Sequence, residues 1–205
     1  TKSSLQKESA AGRDIRVVYS TMDALEIAAK NPDKKVVFLG VGFETTAPTI
    51  AAAILSAAQA NVENFSVISA HKLVPPALEA LMAAADVRID GFILPGHVSV
   101  IIGLNAYQPF FKRYQIPCVV AGFEPTDILQ AISRLVEMLE SKSPALENTY
   151  QRAVTAEGNV KAQQILAEIF EPADACWRGI GKISQSGLKI RKKYAAHDAL
   201  QCFDV

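Results

Sequence analysis

The sequence contains little cysteine and no excess of either charge. Its 205 residues include 3 Cys, and 21 Lys and Arg balance 21 Asp and Glu. Widely spaced cysteines exclude a disulfide framework. A zero net charge argues against nucleic acid as a partner, because nucleic-acid binders usually carry a basic excess. Hydrophobic residues make up 50% of the chain, which excludes global disorder. We therefore expect a folded protein of a reducing compartment, the cytoplasm.

The sequence also lacks a segment suited to a membrane. Residues 91–111 carry no charge, and a bilayer span needs about 20 apolar residues. However, Pro95, Gly103 and Pro109 interrupt this stretch, and they would break a lipid-facing helix. Residues 1–14 are polar and lack the apolar region of a secretion signal. We expect no membrane association, and we treat residues 1–14 as a polar leader.

Short apolar runs alternate with helical patterns between residues 15 and 145. The predicted strands cover residues 15–20, 34–40, 65–70, 90–95 and 117–122. The predicted helices cover residues 22–30, 47–60, 75–85 and 125–141. Because the strands lack polar alternation, they suit a parallel sheet covered on both faces. The pattern predicts the α/β class, with a Rossmann-like domain over residues 15–145. Its doubly wound, mostly parallel sheet has about five strands flanked by helices.

Residues 146–205 follow a different pattern. Residues 146–171 predict two helical pieces broken near Gly158, and residues 177–190 predict two short strands around Gln185-Ser186-Gly187. We expect a helical and β-hairpin appendage that packs on the α/β domain or on a further domain. Between residues 178 and 193 there are six Lys or Arg and no acid. Such a run is typical of a solvated face, and the alternative is a docking patch for an acidic partner.

Three predicted strands end in polar loops, at residues 40–46, 95–99 and 122–127. If the strands are parallel, these loops share one rim of the sheet, where ligands bind in such folds. The rim residues are Glu44, Thr45, Thr46, His97, Ser99, Glu124 and Asp127. This set can hydrogen-bond, transfer protons or contact a charged ligand. With one His and no nearby Cys it is a poor metal site, so we expect no metal ligands.

Simpler roles for these loops remain open. Thr45 or Thr46, and likewise Thr126 or Asp127, could cap a following helix, although a cap does not need the carboxylate of Glu44. The loop 40–46 could also hold a phosphate, which would make the chain a doubly wound small-molecule enzyme. No Gly-Lys-Ser/Thr follows it, and the third glycine of a dinucleotide fingerprint is missing. We expect Gly42 to adopt a backbone shape that needs glycine.

Two of these loops carry a family resemblance. Gly42-Phe43-Glu44-Thr45-Thr46 and the stretch from Pro95 to Gly103, in this order and spacing, resemble the HypD family of nickel–iron hydrogenase maturation proteins. Further similar stretches cover residues 120–127, 148–152, 157–159 and 177–181. The resemblance extends over nearly the whole chain.

The resemblance implies an assembly scaffold that works with a HypC-type chaperone and a HypE-type protein. Together they build an iron centre that carries two cyanides and one carbon monoxide. For the longer family proteins it also implies N-terminal cysteine motifs and a C-terminal four-iron four-sulfur cluster. This sequence lacks those motifs, so we expect an internal fragment without a cofactor or a redox role of its own.

The resemblance also implies which residues form the site. The catalytic candidates are Glu44, Thr45, Thr46, His97 and Ser99. The candidates for cofactor binding are Gly42, Phe43, Val98 and Gly103, to which the predicted rim adds Glu124 and Asp127. Cyanide nitrogen accepts hydrogen bonds, so hydroxyl, backbone N–H and imidazole donors suit it. The expected role is to orient iron-bound diatomics or the thiolates that hold the iron.

Overall fold

The computed structural model describes residues 3–84 and 87–203, and it confirms the predicted α/β class. The strands are β1 (Val36–Gly42), β2 (Phe65–His71), β3 (Phe92–Pro95), β4 (Cys118–Ala121), β5 (Leu146–Asn148), β6 (Phe170–Trp177) and β7 (Gly181–Ile190). The helices are α1 (Leu5–Ala10), α2 (Thr21–Lys30), α3 (Ala47–Gln59), α4 (Val74–Ala83), α5 (Gly96–Ile102), α6 (Gln108–Tyr114), α7 (Pro125–Ser141), α8 (Val160–Ile169) and α9 (Ala199–Cys202). Two 3-10 turns cover Leu104–Tyr107 and Lys192–His197. Residue 85 of the predicted helix 75–85, residues 1–2 of the leader and residues 204–205 of the tail lie outside the described residues.

The parallel strands form two sheets. Strand β1 pairs with β2, while β3, β4 and β5 pair in that order. Strands β6 and β7 form an antiparallel hairpin. The parallel strands number five, as predicted, although β5 is not one of the predicted strands. Across residues 3–84 and 87–203 no hydrogen-bonded ladder joins the two sheets. Other parts of the chain must therefore hold the sheets together.

Helices cover both sheets with the residues that their patterns predict. Helix α3 begins with Pro48 in its first turn, where proline is tolerated. Its Ala51, Ala53 and Ile54 are fully buried in one core with strand β2. Helix α7 has the predicted bounds and buries Ala131 in a second core with strand β4. Small side chains thus let these helices pack closely on the strands.

The prediction of a strand at residues 15–20 is wrong. These residues form no ladder in the described part of the chain, and Val17 and Tyr19 are 86% and 99% exposed. Strand-type side chains alone do not make a strand, because cross-strand neighbours supply most of its stability.

Strand β1 keeps one open edge. It pairs only with β2 among the described residues. Every second side chain on one face, Val37, Leu39 and Val41, is 40%, 44% and 69% exposed. The sequence predicts strands that are covered on both faces. In the described part of the chain, this face of β1 is not covered.

The tail departs from its predicted pattern in three places. Residues 146–148 form strand β5 instead of helix, because they find a ladder partner in β4. Residues 149–157 form turns and bends, so the helical piece predicted before Gly158 is wrong. The hairpin turns at residues 178–180 and not at Gln185, since Gly179 and Gly181 supply positive φ angles of 86° and 99°. Gln185, with a φ of 52°, lies within β7, where the register with β6 shifts.

Helix α5 and the first half of α6 also lie in the uncharged stretch 91–111, for which the sequence pattern predicts no helix. Their length and the prolines around them hide the helical period.

The basic run 178–193 is largely neutralised by acids of β6 and α8. The ion pairs are Lys182–Asp174 at 3.1 Å, Lys189–Glu171 at 2.9 Å, Arg191–Glu171 at 3.2 Å and Lys193–Glu168 at 2.6 Å. These contacts favour the solvated face over a docking patch for an acidic partner.

Two glycines allow the tail to cross helix α5 at close range. Gly103 and Gly158 have φ angles of 78° and 71°. A methyl group on Gly103 would overlap the Ala156 carbonyl oxygen, and one on Gly158 would overlap the Gly103 amide nitrogen. Backbone hydrogen bonds fix the crossing, with the Asn159 amide donating to the Ile101 carbonyl at 3.0 Å.

We predict that Gly103→Ala lowers the free energy of unfolding far more than Gly179→Ala. Both residues have positive φ, which costs alanine about 1 kcal/mol, but no atom lies within 4 Å of a methyl group at Gly179. The overlap at Gly103 raises its cost to about 3 kcal/mol or more. Urea denaturation of both variants measures the difference, and equal losses would show that the crossing relaxes freely.

Candidate functional site

Two loops and the start of helix α5, each directly after a parallel strand, line one cavity of about 550 Å³. Phe43 and Thr45 follow β1, His97 and Val98 follow β3, and Phe123 follows β4. The other lining residues are Val74, Pro95, Val100 and Ile101. We call this space the three-loop cavity. It lies beyond the carboxyl ends of the strands, where α/β folds place ligands.

The walls of the three-loop cavity are mainly aromatic and aliphatic. The His97 ring stands nearly perpendicular to that of Phe123, with centroids 4.7 Å apart. Phe43 packs against Trp177 of the hairpin at 6.1 Å. Thr45 is half-buried and His97 is exposed. The cavity thus offers a hydroxyl and an imidazole as hydrogen-bond partners within an apolar surface.

Glu44 lies next to Thr45 but does not line this cavity. Its buried side chain faces a second cavity of about 300 Å³, beside Leu73 and Phe170. One carboxylate oxygen, Oε1, accepts a 2.8 Å hydrogen bond from the Val74 amide. Within the described residues Oε2 has no partner. Burial, which disfavours the charged form, raises the pKa of Glu44 to about 7.

The carboxylate of Glu44 meets a specific need of helix α4. The first three residues of this helix are Val74, Pro75 and Pro76, and proline has no backbone N–H. Val74 therefore carries the one N–H among these three positions, and Glu44 accepts it. The alternative role of capping α3 is not fulfilled by Thr46, which lies at its N-cap without a side-chain hydrogen bond to the helix. The loop instead supplies Glu44 to the start of α4.

Ser99 also lies away from the cavity, although it is close to His97 in sequence. It is fully buried, donates to the Pro95 carbonyl at 2.9 Å and lies 3.1 Å from the Tyr107 hydroxyl. Residues two apart on a helix do not share a face, so α5 turns Ser99 to the core when it turns His97 outward. Gly103 likewise lies at the tail crossing and not at the cavity.

Gly42 and Thr46 fix the shape of the loop after β1 without lining the three-loop cavity. Gly42 has a φ of 151°, and a methyl group there would overlap the Thr46 hydroxyl. Thr46 occupies the N-cap position of α3 without capping it, and its hydroxyl donates to the Phe43 carbonyl at 3.3 Å. The expectation that Gly42 needs a glycine backbone is confirmed.

Glu124 and Asp127 are paired with an arginine. Arg152 donates to both Asp127 oxygens, at 2.8 and 2.6 Å, and to Glu124 at 3.2 Å. These bonds lower the pKa of the Asp127 carboxyl. The two acids therefore bind Arg152 instead of lining the three-loop cavity.

The prediction overlooked Tyr150 and Arg152 as possible site residues. The Tyr150 ring lies 6.3 Å from His97, and the Arg152 guanidinium lies 4.5 Å above the Tyr150 ring. The Asn-Thr-Tyr-Gln-Arg stretch at residues 148–152 was a signal in the sequence, but its position beside the cavity depends on β5.

The cysteines do not suit an iron–sulfur cluster. Cys118 is buried in β4, which raises the pKa of its thiol to about 11, while Cys176 and Cys202 are exposed on other elements. Among residues 3–84 and 87–203, no group of three or more His, Cys, Asp or Glu side chains is placed to hold a metal ion. The same residues contain no helix with the length and apolar character needed to cross a membrane.

We predict that Gly42→Ala destabilises the fold and that Thr46→Ala in the same chain recovers part of the loss. The single variant suffers both the unfavourable φ and the overlap with Thr46, for a cost of about 2 kcal/mol. The double variant removes the overlap and keeps the φ penalty. A double-mutant cycle on urea denaturation measures the coupling, and additive effects would contradict this account.

We also predict that Glu44→Gln changes how stability depends on pH. The pKa of Glu44 is raised in the fold, so its favourable contribution is full below about pH 4.5 and is lost as pH rises through 7. At pH 8.5 the variant should be more stable than the original chain by up to about 3 kcal/mol, and at pH 4.5 the two should agree.

Urea denaturation across this pH range measures the effect, with the exposed Glu63→Gln as control. Burial lowers the pKa of His71 to about 4. His71 titrates in both chains, so its contribution cancels when their free energies of unfolding are compared. Parallel pH profiles for the Glu44 variant and the original chain would show that the carboxyl is not perturbed.

Comparison with known proteins gives the family. A family model for HypD, described as the hydrogenase formation hypA family, matches residues 1–205. The hydrogenase maturation factor HypD of Rhodobacter capsulatus is 47% identical over 206 residues, which cover 100% of this chain and 55% of the relative. That of Cupriavidus necator is 45% identical over 209 residues, or 98% of this chain and 55% of the relative. The chain thus spans about half the length of these curated relatives, and it belongs to the HypD family of hydrogenase formation proteins.

Proposed function

We propose that this chain acts in hydrogenase maturation and supplies one wall of the cleft in which an iron centre is assembled. The iron, with its two cyanides and one carbon monoxide, is the cargo of the process. A HypC-type chaperone and a HypE-type protein are the proposed partners. Family membership supports the maturation role, and the meeting of Thr45 and His97 at one cavity is the observation that carries the assignment to this surface.

The chemistry of the three-loop cavity suits that cargo. A cyanide nitrogen accepts hydrogen bonds, which the Thr45 hydroxyl and a ring N–H of His97 can donate. Carbon monoxide makes weak hydrogen bonds, and the apolar walls around Val98 and Phe123 suit it. These apolar walls also lower the local dielectric constant, which strengthens each hydrogen bond to the cargo. The role of the chain is thus to orient the diatomic ligands.

The alternative of a phosphate-binding enzyme finds less support in the first loop. The amides of Thr46 and Ala47 both donate to the Phe43 carbonyl, at 3.2 and 3.4 Å, and the next residue, Pro48, has no N–H. The start of α3 therefore presents few free donors to an anion.

We predict that Thr45→Val and His97→Ala each lower hydrogenase maturation about tenfold or more, because loss of one well-placed hydrogen bond costs about 1.4 kcal/mol. The test uses a chimera in which this chain replaces the matching stretch of Rhodobacter capsulatus HypD. It is expressed in a strain without its own HypD, and hydrogenase activity is measured.

The unchanged chimera should restore activity, and so should the matched control Thr49→Val, whose exposed side chain lies on α3 away from the cavity. Circular dichroism of each chain checks that it is folded. Full activity in both cavity variants would contradict the proposed site, and a chimera without activity would contradict the proposed role.

A further inference from the structure

Tyr150 occupies a slot between two glycines. A methyl group on Gly96 would lie 2.7 Å from Tyr150 Cδ1, and one on Gly122 would lie 2.8 Å from Tyr150 Cε2. Both distances are too short for carbon atoms, so the ring fits only because both positions lack a side chain. Each glycine directly precedes a residue of the three-loop cavity, His97 in one loop and Phe123 in the other. The ring therefore sets the spacing of the loops that carry these two side chains.

The sheet fixes the backbone that carries Tyr150. The Tyr150 amide donates to the Asn148 side chain at 2.9 Å, and Asn148 donates to the Val154 carbonyl at the same distance. The Thr149 hydroxyl donates to the Val120 carbonyl at 2.8 Å. The Tyr150 ring thus projects from a segment anchored to β4 and β5, and it is not free to follow the loops if they move.

Arg152 links the ring to the start of helix α7. It lies over the Tyr150 ring and holds Asp127 with two hydrogen bonds. Asp127 is itself packed so tightly against Gly122 that a methyl group there would overlap its carboxylate. The Asp127 side chain is buried, while that of Arg152 is half exposed. The buried carboxylate therefore holds the guanidinium in place through the two hydrogen bonds.

We propose that Tyr150, held by Arg152, is a positioning residue that keeps the His97 imidazole against Phe123 in the three-loop cavity. Tyr150 is not among the residues that line the cavity, so it acts through His97 and Phe123. The inference rests on the proposed function, because a fixed imidazole matters only if His97 meets the cargo. The positioning role also gives a function to the Asn-Thr-Tyr-Gln-Arg stretch at residues 148–152, for which the rest of the site provides none.

The first test observes His97 directly by nuclear magnetic resonance. The chain has three His, and because His71 and His197 are buried, the exposed His97 ring can be identified. We predict that Tyr150→Leu removes the nuclear Overhauser contacts between the His97 and Phe123 rings, whose centroids lie 4.7 Å apart. Tyr150→Phe, which keeps the ring, should retain these contacts. Full contacts in Tyr150→Leu would overturn the proposal.

Arg152→Gln provides a second variant in case the leucine variant does not fold. It keeps the Tyr150 ring and removes the link to Asp127, so the nuclear Overhauser contacts between His97 and Phe123 should weaken here too. Tyr114→Leu is the matched control, because it removes an aromatic ring that packs on Phe110, away from the cavity. Its His97 signals should stay unchanged.

The second test measures maturation in the chimera with Rhodobacter capsulatus HypD. Tyr150→Leu should lower hydrogenase activity by about the same factor as His97→Ala, while Tyr150→Phe and Tyr114→Leu should keep it. If Thr45→Val and His97→Ala both keep full activity, the proposed site fails, whatever the spectra show. If His97→Ala alone keeps full activity, a fixed imidazole has no task and the positioning role is overturned. If His97→Ala lowers activity but Tyr150→Leu does not, the positioning role is overturned and the proposed function stands.

Discussion

The three-loop cavity depends on residues 146–198, one stretch of chain that is fastened to both parallel sheets. Strand β5 joins the second sheet beside β4. The hairpin is tied to the end of the first sheet, where the Leu73 amide donates to the Ser186 carbonyl at 2.8 Å. Asp198 bridges to Val67 of β2. Since no ladder joins the two sheets across the described residues, these contacts set the distance between the loops of β1 and those of β3 and β4.

The buried carboxylate of Glu44 joins the first loop to the same framework. It accepts a hydrogen bond from the Val74 N–H, at the start of α4, where the next two residues are prolines without an N–H. The loop after β1 and helix α4 therefore cannot move independently without loss of this bond. A buried charge is costly, and helix α4 gains a cap in exchange. The neighbouring Thr45 then faces the cavity because successive residues of the loop point to opposite sides.

The sequence was sufficient to predict elements whose signals are local. Helix α7 has the bounds that its apolar period predicts, and strands β1 and β2 start and end within two residues of their apolar runs. Residues 15–20 and 146–148 could not be assigned correctly, because whether such residues form a strand depends on a ladder partner and not on their own side chains.

The candidate site divides in the same way. The parallel-strand pattern predicts that the segments of Thr45 and His97 share one rim, and both line the three-loop cavity, although they follow strands of two different sheets. The direction in which each side chain points could not be predicted from the sequence. Glu44 and Ser99 were therefore grouped with side chains that lie on the other side of the backbone. Arg152 was missed as a partner of Asp127 because 25 residues separate them in the chain and only β5 brings them together.

The open edge of β1 also has a consequence for measurements on the chain. Its backbone groups find no second ladder partner among the described residues, and beside the apolar row of Val37, Leu39 and Val41 they form a template for another strand. Two copies that meet at this edge can extend each other's sheet, and the tendency grows with protein concentration. Dilute samples are therefore the condition under which the stability of this chain reports its own fold and not that of an aggregate.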